Sequence, residues 1–343
     1  MHAVACAGKM PPIISIGGMM KPGLKSAGAL ALITLLSACG GGDGDAGKDG
    51  GGTPVPMSQA EIRSFAGGAY ETGLFLPYFA MGAINSLFDH VGDGMPEGPL
   101  PCADGQGTRT PVYADADRDG KISAGDSLTI DMTNCATRGL GDALNGRIRI
   151  AVNEIQGDIL NAFNTVGVFT LEVPELKLSA SESMSGTLQV RFEQTTHDVP
   201  EASAKLEDVE ETVEVSQSGG DFKLRYTEDG KDYEQAISGY DSTSHFLYAT
   251  GTERYTALRF AHRGQGATLG AFDYRMALVD PLVTVYDKDG STPGSIAGRY
   301  TVETRGETIT TTFSSPAAGT SGVRIESSSG VSWSGSSDDE GGL

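Results

Sequence analysis

Phe272-Asp273-Tyr274-Arg275-Met276-Ala277-Leu278 places a large apolar side chain at every second position, with Asp273 and Arg275 between them. Successive side chains of an extended strand point to opposite faces, so this stretch builds one apolar and one solvated face. The same period of two recurs at Leu128, Ile130 and Met132, at Ile148, Ile150 and Val152, and at Leu188, Val190 and Phe192. It returns at Phe222, Leu224 and Tyr226, at Tyr300 and Val302, and at Ile309 and Phe313. Antiparallel sheets carry such alternation, whereas strands of parallel sheets read as continuous apolar runs. Turn signals separate the runs at Gly219-Gly220, Asp229-Gly230, Asp289-Gly290 and Arg305-Gly306. The pattern after residue 108 predicts on the order of twelve strands. Strands do not alternate with helical patterns, which argues against a parallel sheet.

A sheet with one apolar face needs a cover. Ser58-Gln59-Ala60-Glu61 has the form of a capping box, and Ile62, Phe65 and Ala69 follow it. Leu74, Tyr78, Met81, Ile84, Leu87 and Phe88 continue the apolar set. Gly67-Gly68, Gly73 and Pro77 interrupt it, so one kinked helix or two short ones are expected between 59 and 91, ended by Gly92 and Gly94. The expected fold is mainly β: a large antiparallel sheet, curved into a half-barrel or a sandwich, with an N-terminal helical segment packed on it. A membrane-spanning barrel would need aromatic girdles and an outward apolar band of about ten residues per strand. Aromatic residues make up only 7 % of the chain and the strands read as short, which disfavours it.

Ala27 to Ala38 is an apolar run of signal-peptide length, preceded by Lys21 and Lys25. It closes on Leu36-Ser37-Ala38-Cys39. This ending resembles the lipobox of bacterial lipoproteins. The resemblance implies cleavage before Cys39, acylation of that residue and attachment to a membrane through the lipid. Gly40 stands where an Asp would signal inner-membrane retention in such proteins, which implies the outer membrane. The expected organisation is a signal peptide over 1–38, a Gly/Asp/Pro-rich tether over 39–57 and a helical segment over 58–92. A β domain over 93–326 and a flexible Ser/Gly-rich tail over 327–343 follow.

Residues 1–38 hold three Lys and no acidic residue, so the remainder carries 22 basic against 45 acidic residues, a formal charge of −23. Such a surface repels nucleic acid and anionic head groups and favours cations. Glu207-Asp208, Glu210-Glu211 and Glu214 read as the solvated face of a strand, with Val209, Val213 and Val215 on the other. Cys102 and Cys135 are the cysteines left outside the signal and anchor. In an oxidising compartment a disulfide is the simplest reading, two free thiols or half of a metal site being the alternatives.

One constellation carries chemistry: Asp115-Ala116-Asp117-Arg118-Asp119-Gly120-Lys121-Ile122-Ser123-Ala124-Gly125-Asp126. Four carboxylates so close together repel one another, and a hard cation with oxygen ligands relieves that. The alternative is a solvated turn in which the Asp side chains make local hydrogen bonds. The stretch resembles the twelve-residue calcium loop of EF-hand proteins. The resemblance implies Asp115, Asp117, Asp119, the Lys121 carbonyl, Ser123 and Asp126 as calcium ligands, with Gly120 at the sharp turn. Asp126 is one methylene shorter than the usual closing Glu, which implies weak affinity. The flanks read as extended, so a calcium turn on a β-hairpin is expected. Residues 102–152 also resemble a block found in uncharacterised lipoproteins of Gram-negative bacteria, to which no activity attaches.

Catalytic signatures are missing. Gly330-Val331-Ser332-Trp333-Ser334 lacks the closing Gly of a nucleophile elbow, and His90, His197, His245 and His262 are scattered. The expected function is therefore a non-enzymatic, lipid-anchored envelope protein with a structural calcium site. The alternative is a periplasmic carrier of an apolar ligand, and the third reading is a hydrolase. Mass spectrometry of the mature N-terminus is expected to find lipid on Cys39; an unmodified Cys39 in the washed membrane fraction would defeat the lipoprotein reading.

Overall fold

The computed structural model describes residues 56–102, 106–136, 143–196, 200–228, 230–266, 269–286, 293–314 and 322–336. The signal peptide, Cys39 and nearly all of the tether lie outside the described residues. The described residues form one α-helix, one sheet and two single-turn 3-10 helices at Glu201–Ser203 and Leu206–Asp208. Helix α1 spans Gln59–Gly92. The strands are β1 (Leu100–Pro101), β2 (Thr108–Ala114), β3 (Ser127–Ala136), β4 (Ala143–Gln156), β5 (Thr165–Lys177), β6 (Glu182–Thr196), β7 (Val209–Gln217) and β8 (Phe222–Glu228). They continue with β9 (Lys231–Leu247), β10 (Thr252–Gly266), β11 (Gly270–Tyr286), β12 (Pro293–Thr304), β13 (Glu307–Ser314), β14 (Gly322–Ser327) and β15 (Ser332–Ser336). All pairings are antiparallel, and neighbours in sequence are neighbours in the sheet. β7 and β8 are the exception: both lie between β6 and β9, one continuing where the other stops.

The predicted alternation governs burial. Leu188, Val190 and Phe192 of β6 are at most 4 % exposed, as are Tyr274, Met276, Tyr300, Val302, Ile309 and Phe313. Three expectations need correction. β9 and β11 run to 17 residues, longer than the short strands expected, and register shifts interrupt their pairings with β10 and β12. Such irregularities let a long strand bend and stay paired. The Ser/Gly-rich end past 327 supplies the edge strand β15, paired with β14. Trp333 holds it in place: the Arg63 guanidinium lies 4.4 Å from its ring centroid. Finally, Glu211 shares the parity of Val209 and Val213 and is buried with them at 3 % exposure, while its neighbours Glu210 and Glu214 belong to the other face.

Of the two forms expected, one kinked helix or two short ones, the structure has a single helix. Ser58 and Glu61 form the capping box at its start. It then runs unbroken through Pro77. Proline has no N–H, so it cannot bond the carbonyl four residues back, here Gly73. The Tyr240 hydroxyl fills that role, donating to the Gly73 carbonyl at 2.6 Å. Gly73 makes this approach possible, since a Cβ there would stand 2.9 Å from Leu258 Cδ2. A second phenol, Tyr300, donates to the Ala66 carbonyl at 2.8 Å. Ile62, Phe65, Leu76, Ile84 and Leu87 are at most 1 % exposed, and the helix contacts strands from β4 to β15. The sheet's apolar face is thus covered by one helix lying across the strands.

The Cys102–Cys135 disulfide is formed, with Cα atoms 5.4 Å apart, and joins the chain after β1 to β3. Tyr240→Phe is expected to cost about 1–3 kcal/mol, because it strands the Gly73 carbonyl in the core. In a Pro77→Ala background the restored amide bonds Gly73, so the same substitution should cost measurably less. Equal costs in both backgrounds, read by denaturant titration, would refute the compensation.

Candidate metal centre

The acidic loop is the connection of the β2–β3 hairpin. Ala114 pairs with Ser127, so the twelve residues 115–126 fill the gap between the strands. Strands flank the loop on both sides, as its extended flanking sequence implies. Gly120 sits at φ +72°, a backbone conformation that costs glycine nothing, and Arg118 at φ +62° makes the loop tighter still. Ile122 is 6 % exposed and anchors the loop to the core.

Asp115, Asp117 and Asp126 each bring a carboxylate oxygen within 4.8 Å of the others. Ser123 Oγ joins them, 3.1 Å from Asp117 Oδ2 and 3.1 Å from Asp126 Oδ2. Asp119 is outside this group and accepts from the Lys121 amide at 2.8 Å. Asp115 accepts from the amides of Arg118 and Gly120, which curls the loop around it. Asp126 is 1 % exposed. Its Oδ1 accepts from the Ala116 amide at 2.8 Å, and its Oδ2 from the Ser123 amide at 2.7 Å. The loop is therefore closed from behind by a buried carboxylate.

Tyr113 belongs to this centre, although nothing in the motif marks it. Its hydroxyl is 2.7 Å from Asp126 Oδ2 and 2.7 Å from the Lys121 carbonyl oxygen. Burial, then the bond to Asp126, push that phenol far above its ordinary range. The signal in the sequence is an aromatic residue two positions before the first Asp of the loop, but only the hairpin register aims it at Asp126. Burial raises the Asp126 carboxyl, and the bonds from the Ala116 amide, the Tyr113 hydroxyl and Ser123 outweigh it, so the group ionises below the usual Asp range. Tyr113 also stacks toward the end of α1, its ring centroid 6.2 Å from that of His90.

No catalytic grouping of histidines forms among the described residues. His262 is buried between the Tyr274 hydroxyl at 2.8 Å and Gln235 Oε1 at 3.1 Å, and burial lowers its pKa to about 3. Tyr274 therefore donates to a neutral ring that donates in turn to Gln235. His245 Nδ1 lies 3.1 Å from Glu210 Oε1 and 3.1 Å from Thr212 Oγ1. His90 packs on Tyr113, so no two of the three share a partner; His197 lies outside the described residues. A surface cavity of about 440 Å³ is bounded by Ser181, Arg225, Tyr226, Asp232 and Tyr233. Two of its charged groups are engaged with neighbours, Arg225 with Glu234 and Asp232 with Thr227.

No family model matches the chain, and no curated protein or solved structure matches it either.

The lowered Asp126 pKa fixes a sign. Its contribution to stability is fully present above the ordinary Asp pKa and is lost as pH falls through the lower folded value. Asp126→Ala is expected to cost about 2–4 kcal/mol by leaving the Ala116 and Ser123 amides without their acceptor. It should also flatten the acid limb of stability, measured by denaturation between about pH 2 and pH 6. An unchanged acid limb would show that Asp126 does not hold the loop.

Proposed function

We propose that this chain is a lipid-anchored envelope protein with a non-enzymatic, structural or binding role, its hairpin loop stabilised by one calcium ion. The supporting observation is the filled inner face of the sheet. Ile62, Phe65, Leu76, Ile84 and Leu87 of α1 pack against Phe169, Leu188, Val190, Ile237, Tyr300 and Val302, all at most 1 % exposed. A carrier of apolar molecules, the alternative, needs an apolar space between helix and sheet, and these side chains occupy that layer. The hydrolase reading needs a nucleophile beside a base in a cleft, and no observation favours one. The anchor itself rests on Leu36-Ser37-Ala38-Cys39. Gly40 in place of Asp favours the outer membrane. No helix among the described residues is long and apolar enough to cross a membrane.

Calcium is supported by the convergence of Asp115, Asp117 and Asp126, with Ser123 and the Lys121 carbonyl beside them. Hard oxygen donors of net negative charge suit that ion. The role is structural: the site joins β2 to β3 at the end of the hairpin opposite the disulfide and touches α1 through Tyr113. Calcium should raise the melting temperature, with an affinity on the order of 10⁻⁴ to 10⁻³ M because Asp126 is short. An excess of about 100-fold over Kd adds about 2.7 kcal/mol. Asp115→Ala and Asp117→Ala should abolish the shift and keep the fold. Calorimetry without heat at millimolar calcium, together with an unmoved melting curve, would remove the ion from this reading.

A further inference from the structure

Two acidic side chains are buried beneath α1, and no base among the described residues lies against them. Glu211 of β7 is 3 % exposed and Glu253 of β10 is 9 % exposed. β9 lies between their strands, and Phe246 is the register partner of both. All three therefore share the inner face. Glu253 Oε2 accepts from the Tyr78 hydroxyl at 2.8 Å and from the Tyr286 hydroxyl at 2.7 Å. Tyr78 belongs to α1, so this carboxylate ties the middle of the helix to β10 and β11. Glu211 Oε2 accepts from the Tyr248 hydroxyl at 3.0 Å and from Gln194 Nε2 at 3.3 Å. Its other oxygen, Oε1, is buried and has no hydrogen-bond partner among the described residues.

The titratable groups that act on the pair are phenols and the pair itself. Tyr78 faces it from the helix, Tyr248 and Tyr286 from the ends of β9 and β11, and Tyr255 from β10, with Tyr70 further along α1. Arg254 and His245 alternate onto the opposite face, and His245 is engaged with Glu210 and Thr212. Two carboxylate charges in one apolar layer repel each other, and each loses its hydration. Such a pair titrates as a unit and holds back a proton.

We infer that Glu211 and Glu253 form one buried proton-binding site, which keeps a proton at neutral pH and clasps α1 to the sheet. The charge sits on Glu253, where two phenols donate to it in short bonds. The proton sits on Glu211, whose Oε1 would otherwise be a bare buried anion. Burial, and then Glu253, push Glu211 up to about 7, and burial pushes Glu253 upward as well. Folding thus raises the pair's affinity for a proton. The stability it adds is complete below the ordinary carboxyl pKa and is lost as pH rises through the folded value. Above neutrality a second charge enters the layer under Tyr78, and the middle of the helix loosens.

Infrared spectroscopy of the full chain tests this directly. In the Glu71→Gln chain, the carbonyl absorption of a protonated carboxylic acid should be present at pH 7, fade as the pH is raised, and vanish when Glu211→Gln is added. Glu71 is the necessary control, because its Oε2 is also buried and unpartnered and burial raises it to about 7. The absorption must survive Glu71→Gln. Amide exchange at residues 74–82 of the unsubstituted chain gives a second readout that does not depend on a variant folding. Corrected for its own base catalysis, the opening constant should rise about tenfold per pH unit between the ordinary Glu pKa and neutrality. Absence of the absorption from Glu71→Gln at pH 7, its survival when Glu211→Gln is added to Glu71→Gln, or its appearance only after chelation of a cation would each overturn the inference. A flat exchange profile would do the same.

Discussion

An antiparallel sheet that lines one face with Phe, Leu, Val, Ile and Tyr cannot leave that face in water, and everything else in this molecule follows from how α1 covers it. Burying such side chains stabilises by about 25 cal/mol for each Å² removed from water. The buried positions of α1 occupy roughly half of its circumference, which at 3.6 residues per turn is wider than the stripe of an ordinary surface helix. Ala60, Gly82 and Asp89 on the opposite side are exposed. A flat sheet reaches only a narrow stripe of a helix. Burial this wide requires the sheet to rise on both sides of α1.

A helix buried so far must satisfy its backbone where its own sequence does not. Pro77 removes one amide, and Tyr240 answers at the Gly73 carbonyl. Tyr300 adds a second bond at the Ala66 carbonyl, which already faces the Tyr70 amide within the helix, and Tyr78 reaches out to Glu253. The choice of tyrosine has a physical basis. Its ring adds apolar area to the core and its rigid length carries a donor to a target with little loss of entropy. These ties specify where α1 sits along the sheet, which the apolar contacts alone would leave free to slide.

The strands could be read from the sequence because alternation is a local property, and burial follows it from Leu128 to Phe313. The acidic loop could be read for the same reason, since Asp115, Asp117 and Asp126 lie within one turn of chain. The failures are all non-local. Pro77 reads as a break because the phenol that repairs it is 163 residues away, at Tyr240. Glu211 sits among acidic residues and reads as solvated, although its parity is that of Val209 and Val213. Its partners, Tyr248 and Gln194, come from other strands. Ser332–Ser336 has the composition of a loose end, yet β14 and Arg63 give it an edge position. Tyr113 lies two residues before Asp115, outside the motif, and reaches Asp126 only through the pairing of β2 with β3.

Open sheets must also guard their edges, because unpaired strands recruit other chains. Here the two ends of α1 meet the two edges. Gln59 Nε2 donates to the Ser332 carbonyl on β15, and His90 packs on Tyr113 of β2. β1 pairs with only Thr108 and Arg109 of β2, and further along Pro111 withholds a donor from any strand that would add there. From β2 to β15 the sheet takes twelve steps. At about 4.8 Å each that is an arc of about 58 Å, while 34 helical residues span about 51 Å. The helix is thus a chord shorter than the arc it subtends, and its two terminal contacts set how far the sheet must curl. Lengthening the sheet by a strand would lengthen the arc and leave the chord unchanged. One edge would then lose its contact with α1, which ties the number of strands to the length of the helix.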